Sequence, residues 1–398
     1  MWMEPLDQAA SVLDALSLTI AGGFTALFLL RARHGAIEKQ MKQGLEKHQD
    51  YFTYLSANID GADALLPPPG QLSPMELKAI QSKLLEWIET IGGEYRGKLT
   101  ALCRELGLVE LELQRLRSTR HGIRIEAAYR LGVMRAAECT GELLKLLERE
   151  GGESTAFVVG RAAAKCADTH QDLHSLLELL TRHHPEAHQL IADIIASSSL
   201  DPAPLFAELL HHETNEAVLC VALISLSKRN EPDMFGALDR LMRSESKEIR
   251  IKAVKIGLHY AHLLPTERIG ELIRHPDWEI RAFAAKAIGD QQLDFYLETL
   301  TRAMADEEWW VRYHSAKSLS RLGPAGFKAL CEAAGSSEIG ATSESAWEAV
   351  HEELDRAAAS VSRGVGQLPD YNRLNFIYRR ILGDSGTGRH AHRARISS

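Results

Sequence analysis

Cysteine is scarce in this chain and has no pattern. Cys103, Cys139, Cys166, Cys220 and Cys331 are odd in number, far apart and form no Cys-x-x-Cys, which excludes a disulfide framework and a cysteine zinc site. They read as buried thiols in a reducing compartment. Basic charge is not in surplus either: 46 Lys and Arg face 54 Asp and Glu, a formal net charge of −8. Such a balance provides no overall field for phosphate backbones, so nucleic-acid binding is not expected. Aromatic residues make up only 6% of the chain. A phosphate-cradling glycine loop, a nucleophile elbow and a His-Glu-x-x-His are all missing, and Gly92-Gly93 and Gly151-Gly152 read as helix breaks.

Histidine is plentiful at 17 residues, with pairs at helical spacing in His170 and His174, His184 and His188, and His259 and His262. No carboxylate completes a ligand set beside them in the sequence, so they read as surface histidines. No catalytic residue, cofactor site or metal ligand is assigned.

One long uncharged run is present, from Ala15 to Leu30. As a helix it is about 24 Å long, short of a hydrocarbon core of roughly 30 Å. With the turn containing Val12, Leu13 and Asp14 it predicts a transmembrane helix over residues 12–30. Glu4, Asp7 and Asp14 precede the run, and Arg31, Arg33, Lys39 and Lys42 follow it. That order predicts a short stub outside (1–11) and the remainder in the cytoplasm, at the inner membrane of a bacterium. Ile37, Met41, Leu45, His48, Phe52, Leu55 and Ile59 then fall three or four apart, predicting an amphipathic helix over 31–60 that lies on lipid or packs on protein. Pro67-Pro68-Pro69-Gly70 cannot continue a helix, so 61–74 reads as a semi-rigid spacer. Ser73-Pro74-Met75-Glu76 supplies an N-cap, a proline at N1 and a glutamate at N3 for the next helix.

The rest is organised by an internal repeat. Ala253, Ala284, Ser315 and Ala346 are 31 residues apart, and Ala127, Ala162, Ala192 and Ala222 continue the series upstream at intervals of 35, 30, 30 and 31. Ile123, Val158, Val218, Ile249, Ile280 and Val311 stand four positions before their markers, so each marker lies in the middle of an apolar helical stripe. Leucine-rich segments between them supply a second helix per unit. A period in the thirties with helical patterning predicts an all-α fold, an α-solenoid of stacked helix pairs over 75–359 whose faces are buried only against neighbours.

Asp277-Trp278-Glu279-Ile280-Arg281-Ala282-Phe283-Ala284-Ala285-Lys286 and Glu308-Trp309-Trp310-Val311-Arg312-Tyr313-His314-Ser315-Ala316-Lys317 resemble HEAT repeats of the short bacterial, PBS-lyase-like kind. The phrases at Ile123 and Ile249 fit as well, and the resemblance spans about Leu106 to Leu354. It implies that Arg124, Arg250, Arg281 and Arg312 tie neighbouring repeats together through acidic or carbonyl partners. Val159, Gln189 and Leu219 stand in the arginine position of the middle repeats. Deoxyhypusine hydroxylase resembles this architecture and holds two irons through several His-Glu dipeptides. Here only His212-Glu213 and His351-Glu352 have that form, and repeat shape alone carries no reaction. HEAT-like alkyl-DNA glycosylases need a basic concave face, which the overall charge argues against.

Trp278, Trp309, Trp310 and Trp347 gather at the starts of the last marker helices. Exposed tryptophan and tyrosine typify protein interfaces, so Trp278, Trp309, Trp310 and Tyr313 form the candidate partner surface. Residues 360–398 read as a basic tail, with a short helix over 371–382 and arginines 373, 379, 380, 389, 393 and 395 available to anionic lipid. The expected function is a membrane-anchored, non-catalytic adaptor that presents a HEAT-type surface to a protein partner. The alternatives are a HEAT-fold enzyme, lyase- or hydroxylase-like, and a nucleic-acid-binding HEAT protein.

Overall fold

Small residues recurring on one face of each helix bring neighbouring backbones close, and a computed structural model of the chain shows what they build. It describes residues 4–227, 229, 234–261, 264–336 and 340–383. The chain divides into two compact units, Met1–Pro202 and Ala203–Ser398.

The first unit holds α1 (Glu4–Lys47), α2 (Gln49–Asn58), α3 (Pro74–Thr90), α4 (Glu94–Glu105) and α5 (Leu108–Leu116). It continues with α6 (His121–Met134), α7 (Thr140–Glu150), α8 (Ala156–Cys166), α9 (His170–His183) and α10 (His188–Ile195). The marker helices α6, α8 and α10 lie side by side, with α7 and α9 packed behind them. Gly132 makes the α6–α8 approach possible: a Cβ there would sit 2.6 Å from the Cα of Ala162. The face of α8 is turned by one position from that expected, since Val158 is 38% exposed and Val159 is buried in its place.

At the start of this unit two expectations change. A single helix runs from Glu4 to Lys47, and the chain breaks at His48 before α2. Leu16, Leu18, Ile20, Phe24, Leu27, Phe28 and Leu29 of α1 are exposed, yet no helix among the described residues is long and apolar enough to cross a membrane. The transmembrane reading of 12–30, the outside placement of the N-terminus and the inner-membrane location derived from it are therefore withdrawn. The uncharged run was already shorter than a bilayer core, and Thr19, Gly22, Gly23 and Thr25 dilute its hydropathy.

The end of α1 packs on protein, where a Cβ on Gly44 would stand 3.0 Å from that of Ala79 in α3. Phe52 of α2 is buried edge-on against Trp87. The proline segment is docked as well: Leu65 is buried and Tyr51 donates a hydrogen bond to the Leu66 carbonyl at 2.9 Å. Ser73 and Glu76 close the reciprocal capping box that opens α3.

Deep in this unit lies a polar network. Glu112 is fully buried, and its Oε1 accepts from Gln81 Nε2 at 2.8 Å and Arg130 Nη1 at 2.9 Å. Arg130 donates in turn to Glu126 at 2.6 Å, and Arg115 reaches the other oxygen of Glu126 at 2.7 Å.

The second unit is a two-layer row. Its marker helices are α12 (Glu216–Leu226), α14 (Lys247–His259), α16 (Trp278–Asp290), α18 (Trp309–Arg321) and α20 (Ala341–Ser362), each packed on the next. Behind them run α11 (Ala203–His212), α13 (Met234–Leu241), α15 (Thr266–Leu272), α17 (Leu297–Ala303) and α19 (Gly323–Gly335). The markers Ala222, Ala253, Ala284, Ser315 and Ala346 are all fully buried. So are Ile280 and Val311, four positions before two of them. Gly289 extends the close contact, for a Cβ on it would lie 2.6 Å from the Cα of Ser318. A final helix, α21 (Leu368–Leu382), begins three residues before the expected position and packs on α19 and α20, with Leu382 buried. Arginines 389, 393 and 395 of the tail lie outside the described residues.

Candidate interaction surface

Each repeat arginine is held in one way. The Nη1 of Arg124 donates to the carbonyls of Ser118 and Thr119, that of Arg250 to Ser244 and Glu245, that of Arg281 to His275 and Pro276, and that of Arg312 to Asp306 and Glu307. The acceptors are always the residues six and five positions earlier, so the guanidinium ties down the loop that leads into its own helix.

Three of the four reach onward to an acid further along the chain. Arg250 Nε and Nη2 donate to Asp277 at 2.9 and 2.6 Å. Arg281 forks onto Asp306 at 2.7 and 2.8 Å, and Arg124 Nη2 lies 2.6 Å from Glu150. Burial alone would raise the carboxyls of Glu150, Asp277 and Asp306, but hydrogen bonds and charge from Arg124, Arg250 and Arg281 outweigh it and hold them below the usual range. The side chains of Arg281 and Asp306 are 11% and 13% exposed, which leaves little of this arginine open to a ligand.

The tryptophans divide. Trp309 and Trp310 are 47% and 48% exposed at the first turn of α18. Trp309 stacks on Tyr313 at 5.0 Å, Trp310 stacks on His314 at 6.0 Å, and the two indoles meet edge to face at 4.7 Å. Trp278 is half-buried at the start of α16 and makes no ring contact with this group. Trp347 stacks on His351 in a separate cluster completed by Tyr378 of α21.

A feature beside the aromatic group escaped the sequence reading. Two positions after their markers stand Lys255, Lys286 and Lys317, also 31 apart, one on each of α14, α16 and α18. Lys255 Nζ lies 5.7 Å from the centre of the Phe283 ring, and Lys317 Nζ lies 5.6 Å from that of Tyr313. Burial pushes His314 toward its neutral form, and the charge of Lys286 adds to that. The signal was the register of the lysines; the overall acidic balance concealed it. Local cation density on this face therefore departs from the expectation of an array without a basic stripe.

Of the paired histidines, His170 and His184 serve the scaffold. His170 Nε2 is 2.9 Å from the Asp201 carbonyl, and His184 Nε2 is 2.6 Å from that of Gly151 with its ring 4.5 Å from Phe157. His262 lies outside the described residues. All five cysteines are buried and unpaired, and burial pushes every thiol up to about 12, which keeps it protonated.

Among solved structures, the chain is similar to an engineered protein at 16% identity and a TM-score of 0.35, covering 78% of this chain and 97% of that one. It is similar to YibA of Escherichia coli at 12% identity and a TM-score of 0.31, covering 73% and 100%. It is also similar to Kap121p at 13% identity and a TM-score of 0.36, covering 89% of this chain and 52% of Kap121p. No curated protein matches the chain. The family model for HEAT repeats matches residues 266–349, the stretch from α15 into α20 that carries Arg281, Arg312 and the exposed tryptophan pair.

Proposed function

We propose that the chain is a non-catalytic protein-interaction scaffold and that Trp309, Trp310 and Tyr313 anchor its partner, with Trp278 at the edge of the surface. The observation that carries this reading is the tryptophan pair. Two adjacent indoles are each about half exposed, while the stripe beneath them, Val311, Ser315 and Leu319, is fully buried. Their stacking on Tyr313 and His314 fixes the rings before any partner arrives, so little side-chain entropy remains to be lost on docking. Rigid aromatic side chains of this kind dominate interface energetics. Arg124, Arg250, Arg281 and Arg312 act in this reading as ties that hold the surface in shape.

The test is photocrosslinking in cells from an unnatural side chain at position 310, compared with exposed position 145 on α7. Discrete partner adducts from 310, absent from 145 and lost when Trp309 is changed to alanine, are expected. Indistinguishable adduct patterns from the two positions would overturn the proposal.

A further inference from the structure

The aromatic group lies within a row of cations, and the two together narrow the class of partner. On α14, α16 and α18 the exposed face carries Lys255, Lys286 and Lys317, interleaved with Phe283, His314 and Tyr313. Its carboxylates are already engaged: Glu248 by Lys252 at 2.8 Å, Asp290 by Arg321 and Glu352 by Lys317. Lys255 and Lys286 have no carboxylate within ion-pair distance among the described residues, and both stand exposed, Lys255 over the Phe283 ring. We infer that this face binds an extended acidic protein segment whose carboxylates occur every third residue. This rests on the docking surface proposed above and names its partner class.

The spacing comes from geometry. Packed helix axes lie about 8–10 Å apart, so successive lysines recur at roughly that interval. An extended chain in the polyproline-II conformation rises about 3.1 Å per residue and turns once every three residues, so three residues cover about 9 Å and return to the same side. Carboxylates at i, i+3 and i+6 therefore meet the three lysines in turn, while the intervening side chains lie on the rings. Glu352 shows how the third position is filled in the free protein. It comes from the next marker helix, its side chain is 61% exposed, and an incoming carboxylate displaces it.

The experiment uses the full chain and fluorescence anisotropy with two labelled decapeptides of one composition, in Gly, Ser, Thr and three Glu. In one the glutamates are spaced by three; in the other they are contiguous. The spaced peptide is expected to bind at least about fivefold more tightly. K255Q and K286Q are each expected to weaken it by about five- to tenfold, and E352Q to tighten it. Lysine variants with unchanged melting temperature exclude misfolding, since both side chains are exposed. Equal binding of the two isomers, indifference to K286Q, or equal competition by a single-stranded oligonucleotide of matched charge would overturn the inference. The outcomes separate from those of the scaffold reading. If K255Q/K286Q retains the crosslinks from position 310, the acidic class fails while the docking surface stands; if the unaltered chain gives no crosslinks there, the surface itself fails.

Discussion

Replacing Arg281 by alanine removes two hydrogen bonds to Asp306 and two to the carbonyls of His275 and Pro276. It also leaves Asp306, 13% exposed, without its cation. Breaking a buried ion pair from one side costs about 3–5 kcal/mol, because the remaining charge is stranded. The pair here keeps some contact with water and the two carbonyls lie at a loop, so a discounted loss of about 2–4 kcal/mol is expected. Arg281→Lys retains charge but not the planar fork and should lose about half as much. Arg312→Ala is the internal control. Its guanidinium ties the Asp306 and Glu307 carbonyls but has no carboxylate within ion-pair distance among the described residues, so about 1–2 kcal/mol is expected. The assay is urea unfolding of the full chain followed by tryptophan fluorescence, since four of the six tryptophans lie between residues 278 and 347. A double-mutant cycle with Asp306→Asn isolates the pair. A loss below about 0.5 kcal/mol for Arg281→Ala, or a cycle with no coupling, would refute the claim that the clasp holds adjacent repeats together.

Three further outcomes follow from the same geometry. Arg130→Ala takes from the fully buried Glu112 its nearest cation, leaving it Arg115 at 3.5 Å and the Gln81 amide, and should cost about 2–4 kcal/mol, read as a lowered urea midpoint by circular dichroism. Gly289→Ala places a Cβ against the Ser318 backbone and should cost about 1–3 kcal/mol through overpacking, read as a lowered melting temperature. Glu150, Asp277 and Asp306 are held below the usual carboxylate range, so near and below pH 4 the unfolded chain takes up protons that the native chain refuses. Their stabilisation is therefore complete above about pH 5 and is lost as pH falls through the native values. Asp306→Asn should flatten the fall in stability measured from pH 6 to pH 3.

How much of this was legible depended on what each residue must do. The period of 31 was plain because Ala253, Ala284 and Ser315 are buried where helices meet, and a larger side chain there would have nowhere to go. The tie between repeats came from a resemblance; the two carbonyls under each guanidinium belong to loop geometry that a helical period does not encode. The phase of α8 was misread because Val158 and Val159 are chemically identical, and only the helix's seating decides which is buried. The proline segment looked like a spacer, yet Leu65 beside it was the sign that it docks, since its side chain is buried while that of Leu66 is exposed. The N-terminal span was read from its lack of charge with one turn added to reach bilayer length, whereas mean hydropathy over that length also decides whether a helix crosses a bilayer. The lysine row was hidden by a total: summed charge is acidic, while the cations that matter are set apart by register.

Hydrogen exchange, followed by mass spectrometry on the full chain and on Arg281→Ala, tests most directly the claim that each helix pair is stable only against its neighbours. Protection should fall together in α16 and α18, the helices on either side of the lost clasp, and recover progressively toward α12. Loss of protection confined to the loop before α16, or spread equally over every helix of the second unit, would contradict it.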